Sequence, residues 1–160
     1  MKKISIKNIL LSLLFILPIC LISVVFLYEY NNTVPITNSH SKYSVIINNK
    51  VIDVDLADEV QEQTQGLSDR KKLDANNGML FVFPQKQKRT FWMKNMYFPL
   101  DIIWIDNNKI VKINKRLKPE GELPKFKYGS SFPVNYVLEV NGGYTDTMGI
   151  KVGDIVEYNL

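Results

Sequence analysis

Histidine and cysteine are almost missing from this chain of 160 residues, which carries one of each, His40 and Cys20. That scarcity removes several chemistries at once. A zinc site built on nitrogen and sulfur needs several such ligands, and a Ser-His-Asp arrangement needs a histidine beside its serine. His40 lies in a polar stretch and Cys20 in an apolar one, so neither has a companion. A disulfide within the chain is excluded, and stability must come from a buried core. Calcium would want an Asp-x-Asp-x-Asp-Gly loop, which the chain lacks; Asp53-Val54-Asp55 reads as the solvent side of a strand. The glycines Gly66, Gly78, Gly142, Gly143, Gly149 and Gly153 form no phosphate-cradling fingerprint and are expected at positive φ in caps and hairpins. No metal and no cofactor is expected.

A surplus of basic charge is also missing once the first residues are set aside. Of the 20 lysines and arginines, Lys2, Lys3 and Lys7 precede a long apolar run, which leaves 17 against 16 acidic residues. The sequence pI near 9.0 is therefore a feature of the N-terminus and points to no nucleic acid. Lys86, Lys88 and Arg89 read as a solvated loop rather than a phosphate track.

The apolar run spans residues 9–28, about the length that crosses a bilayer as a helix. Lysines before it and Glu29 after it predict that the N-terminal flank (1–8) stays in the cytoplasm and the rest lies outside. A cleaved signal peptide would have a shorter apolar stretch and a small-x-small site. Val24-Val25-Phe26-Leu27 offers none, and Leu17-Pro18-Ile19 does not suit lipidation at Cys20. The expectation is a single-pass anchor retained in the cell membrane, with secretion as the outcome if the segment is cleaved. Polar residues 29–42 read as a linker, leaving 43–160 for one domain.

From Tyr43 onward the pattern is of short β runs. Residues 43–47 and 51–56 flank an Asn48-Asn49 turn, and in the second run Ile52, Val54 and Leu56 share one face. Residues 58–65, acidic at the start and closed by Gly66, predict a short helix. Strands are expected at 79–83 (stopped by Pro84), 89–96, 101–106, 109–115, 136–140 and 154–158, with a long surface loop over 117–133. The fold class is mainly β, a compact barrel or sandwich of about seven strands with one or two short helices, preceded by one transmembrane helix.

The runs Gly66-Leu67, Gly78-Met79-Leu80-Phe81, Phe91-Trp92-Met93-Lys94-Asn95, Pro99-Leu100-Asp101-Ile102-Ile103, Val137-Leu138-Glu139-Val140 and Gly153-Asp154 are collinear. In order and spacing they resemble the family known as domain of unknown function 192, from about Val51 to the C-terminus. Ser68 stands where that family usually has Met, and Met96 where it usually has Thr. The resemblance implies a small β-rich domain, often behind a signal peptide or anchor. It implies no activity and carries over no catalytic residue.

Candidate site residues come from the residues themselves. If 89–96 is a strand, Trp92, Lys94 and Met96 share one face, and Phe91, Met93 and Asn95 the other. Trp92 and Lys94, with Asp101 and Glu139, would make a small binding cleft on an aromatic platform. The competing reading buries Trp92 in the core and pairs Lys94 with Asp101 or Glu139 as a structural ion pair. Asp101, Glu139 and Asp154 are the carboxylates that could converge for acid–base chemistry, although Asp154 after Gly153 suits an ordinary turn. The preferred function is a non-enzymatic extracytoplasmic binding or accessory module with a small-molecule, saccharide or protein partner. The alternatives are a hydrolase or lyase of envelope polymers using Asp101 or Glu139, and a structural partner of another membrane protein.

Overall fold

The computed structural model describes residues 43–160. The expected cytoplasmic flank, anchor and linker over 1–42 lie outside the described residues. Seven strands form one sheet in the order β6-β5-β8-β3-β2-β1-β9. They are β1 (Tyr43–Ile47), β2 (Lys50–Ala57), β3 (Asn77–Gln87), β5 (Leu100–Asp106), β6 (Lys109–Leu117), β8 (Val134–Asn141) and β9 (Val156–Asn159). A two-stranded ribbon pairs β4 (Thr90–Phe91) with β7 (Tyr128–Gly129), and two short helices complete the domain, α1 (Val60–Gln65) and α2 (Tyr144–Met148).

Local sequence explains most of these elements. Asn48 and Asn49 take φ of 50° and 62°, the left-handed pair that a two-residue hairpin turn needs and that asparagine tolerates. At the start of α1 the Glu62 carboxylate accepts from the backbone N–H groups of Asp58 and Glu59, both at 3.2 Å. β2 and β3 are parallel, with α1 in the crossover; the other pairings in the sheet are antiparallel.

The sheet curls until its edges meet at one end, where Lys109 bridges Ile155. Its inner face is filled from almost every strand by Val45, Ile47, Ile52, Val54, Leu80, Ile103, Ile105, Ile110, Leu138, Val140 and Val156, with Tyr144 and Ile150 added from α2 and its exit. A second cluster lies on the other face and includes Met79, Phe81, Ile102, Trp104 and Val137. Non-strand residues cover that face, among them Leu67, Met93 and Met96.

The expected mainly β domain of about seven strands is present, and its closure is that of a curled half-barrel. Three details differ from the sequence reading. Pro84 does not stop β3, which runs on to Gln87; the register with β8 shifts between Val82 and Gln87, so the missing proline N–H falls where the ladder is already interrupted. The strand expected over 89–96 ends at Phe91, because Asn95 takes φ of 52° and the backbone of 93–96 bonds instead to Glu120 and Gly121. Gly78 and Gly142 are not at positive φ. At Gly78 a Cβ would lie 2.8 Å from the Glu139 carbonyl oxygen, so glycine there permits close approach of β3 to β8.

Candidate functional site

Glu139 sits near the C-terminal end of β8, opposite Met79 of β3 on one side and Ile102 of β5 on the other. Strand alternation places its side chain with Val137 on the outer face, among the apolar residues of the second cluster. The residue is 4% exposed. No described residue donates a hydrogen bond or an ionic partner to its carboxyl group. Burial alone pushes that carboxyl up to about 8 from an ordinary value near 4.5, because an unpaired charge is costly where water is excluded. Burial therefore favours the protonated, neutral form of Glu139 at pH 7.

The group is not sealed in. It lines a cavity of about 210 Å³ whose walls come from α1, the 66–68 turn, Phe81 and residues 90–92, with Met96 alongside. The turn is shaped by Gly66, which ends α1 at φ 52° and ψ −134°, a conformation essentially reserved for glycine. A Cβ there would lie 3.3 Å from the tip of the Phe81 ring. Two bonds tie the turn to the opposite wall: Ser68 Oγ donates to the Lys94 carbonyl at 2.8 Å and Asp69 N–H to the Asn95 carbonyl at 2.9 Å. On the aromatic side Phe91 packs edge-to-face against both Phe81 (centroids 4.8 Å apart) and Trp104 (5.4 Å), a geometry that fixes ring orientation.

The four residues proposed for a cleft do not all gather here. Trp92 and Glu139 line the cavity. Trp92 is 43% exposed, and the fully buried tryptophan is Trp104, whose Nε1 donates to Asn114 Oδ1 at 2.8 Å. Lys94 touches the wall through its backbone carbonyl, and among the described residues no ion pair joins it to Asp101 or Glu139. Asp101 lies opposite Val140, so it faces the side of the sheet away from Glu139. It is fully buried and accepts from Arg116 N–H (2.7 Å), Gly143 N–H (2.8 Å), Thr145 N–H (3.0 Å) and Thr145 Oγ1 (2.5 Å). Those bonds fasten the start of α2 to the sheet. Asp154 holds a turn, accepting from Asn48 Nδ2 at 2.7 Å and Lys151 N–H at 2.8 Å. Among the described residues no pair of carboxylates converges at the cavity.

Sequence reasoning missed Gln63, Thr64, Gln65, Ser68, Phe81 and Phe91 as cavity residues. Phe91 and Trp92 were assigned to opposite faces of a strand, and the early end of β4 brings both to the same opening. The signal that pointed to the turn was the Gly66-Leu67 pair.

A family model described as "Uncharacterized ACR", domain of unknown function 192, matches residues 43–158. The chain belongs to that family. The match takes in every wall of the cavity. Two solved structures are similar to this member of the domain of unknown function 192 family. One is from Sinorhizobium meliloti 1021 and is described as a proposed transcription regulator, at 32% identity and a TM-score of 0.66, covering 72% of this chain and 91% of that one. The other is a protein of unknown function from Novosphingobium aromaticivorans DSM 12444, at 35% identity and a TM-score of 0.64, covering 72% and 82%. No curated protein matches the chain.

The raised Glu139 carboxyl links folding to pH. Between its ordinary value and about 8 the folded chain keeps a proton that the unfolded chain has lost, so this group makes stability fall as pH rises through that window. The slope approaches about 1.4 kcal/mol per pH unit and levels off above the folded value. Subtracting the urea-unfolding profile of Glu139→Gln from that of the native chain should isolate the fall. Parallel profiles from pH 5 to 9 would show that Glu139 does not titrate this way.

Proposed function

We propose that this domain is a non-enzymatic binding module, held at the outer surface of a membrane, whose cavity takes a small and mainly apolar ligand. The observation that carries the reading is a buried carboxyl with no protein partner at the wall of an open, aromatic-sided cavity. A carboxyl held among apolar side chains without a protein partner leaves its hydrogen bonds to whatever enters the cavity, and an acid with a displaced proton affinity in a cleft is a recurrent mark of a functional site. The volume suits a ring-sized group, since roughly 150 Å³ suffices for benzene. A two-carboxylate hydrolase draws no support from the geometry, because Asp101 is committed to α2 on the opposite face.

The membrane setting rests on Lys2, Lys3 and Lys7 ahead of the apolar run 9–28. A membrane-impermeant maleimide should label a cysteine placed at exposed Val152 in intact cells; labelling only after lysis would put the domain on the other side.

Binding is tested with the full-length chain in detergent and benzyl alcohol as the probe, followed by ligand-observed NMR. Thr64 is an exposed wall residue of α1 whose hydroxyl bonds back to its own helix. Thr64→Trp should fill the opening and weaken the probe by roughly tenfold or more without lowering the unfolding midpoint. Equal binding by the variant would show that the cavity is not where the probe goes.

A further inference from the structure

The cavity is lopsided in its hydrogens. Gln63 Nε2 donates to the carbonyls of Ala57, Asp58 and Val82 at 3.3, 3.3 and 2.9 Å. Gln65 Nε2 reaches the Ser68 carbonyl at 2.9 Å, and Thr64 Oγ1 the Val60 carbonyl at 2.7 Å. Ser68 Oγ is already held by Lys94 at 2.8 Å. These four wall side chains commit their hydrogens to backbone carbonyls, Gln65 Nε2 also to the Asp69 carboxylate at 3.4 Å, and keep oxygen lone pairs free. The remaining side-chain donors of the lining, the Thr90 hydroxyl and the Trp92 indole, belong to exposed residues that water can serve. Glu139 adds two further acceptor oxygens when ionised. A ligand that supplies several hydrogens from one compact cationic group fits this inventory, and aromatic walls favour a cation as well.

We infer that the cavity recognises a small primary amine with an apolar body of about ring size, its ammonium set against Glu139 and its body against Phe81, Phe91 and Trp92. The inference rests on the binding-module reading and narrows its ligand. A ligand that presented a carboxylate would meet a surface of acceptors and an acid made harder to ionise. Among the described residues, Glu139 is the single titratable group lining the cavity. Met79 and Ile102 flank it from β3 and β5, α1 and the 66–68 turn contribute uncharged residues to the lining, and Lys94 is not part of that lining. No neighbouring charge contributes to its displacement.

Proton balance makes the inference measurable. Below about pH 8 the free protein holds the Glu139 proton. An ammonium ion that pairs with the carboxylate sends that proton to solvent, one for each ligand bound, while the ligand keeps its own charge. Apparent affinity should then rise about tenfold for each pH unit below the free-protein value and level off above it.

Calorimetric titration of the full-length chain with benzylamine, benzyl alcohol and benzoate, in buffers of differing ionisation enthalpy, tests this. Thr64→Trp serves as the blank for partition into detergent. Benzylamine should bind about tenfold more tightly at pH 7 than at pH 6 with release of close to one proton at pH 6, and should lose that rise in Glu139→Gln. Benzoate should bind more weakly than either of the other probes. A tripeptide Phe-Gly-Gly that reproduces the rise would make a chain terminus the source of the amine, and its failure beside a positive benzylamine result would make the source a free amine. Benzylamine binding that ignores pH, or that survives Glu139→Gln unchanged, would overturn the amine assignment. Preferential binding of benzyl alcohol would do so too, while leaving the binding module in place. No cavity-dependent binding of any probe would overturn both.

Discussion

β8 lies between β3 and β5 and is buried on both faces, and the rest of the domain is arranged around that condition. Its residues must alternate between two dry environments with no solvent side to receive a polar group. Leu138 and Val140 enter the core inside the curl, and Val137 and Glu139 face the outer cluster. The inner face is closed by the strands themselves. The outer face is covered by turns and irregular segments (the 66–73 and 92–98 stretches) together with the small β4–β7 ribbon. Their cover is incomplete over Glu139, and that opening is the cavity.

Asp101 and Glu139 stand one register step apart on neighbouring strands, yet the two carboxylates have opposite surroundings. Asp101 accepts four hydrogen bonds and fixes the start of α2. Glu139 accepts none from the described residues, and burial raises its carboxyl to about 8. An apolar residue at 139 would fit the surrounding side chains at less cost in mildly alkaline conditions. Glu139 breaks the apolar pattern of its own core at the wall of the cavity, the kind of local inconsistency on which the proposed binding role rests.

Much of this was legible in the sequence. The paired asparagines marked the hairpin at 48–49, the alternation in β2 gave its buried face, and the run Val137-Leu138-Glu139-Val140 put an acid inside an apolar strand. Faces were not legible where a strand ended early. Nothing in the run Phe91 to Met96 announces that pairing stops after Phe91, since Asn95 turns the chain in response to contacts with Glu120 and Gly121 far along it. Trp104 has neighbours on both sides in the sheet, whereas Trp92 stands past the end of the ribbon. Gly78 looked like a turn residue because the need for it arises from β8, some sixty positions away.

The account turns on the claim that a carboxylic acid keeps its proton at neutral pH for want of any partner. Carbon-13 NMR of the full-length chain, labelled at glutamate side-chain carboxyls and assigned by comparison with Glu139→Gln, reads that proton directly. The account predicts one glutamate resonance that titrates near pH 8 and vanishes in the variant. A Glu139 resonance that completes its titration between about pH 4 and 5, like an exposed glutamate, would contradict it.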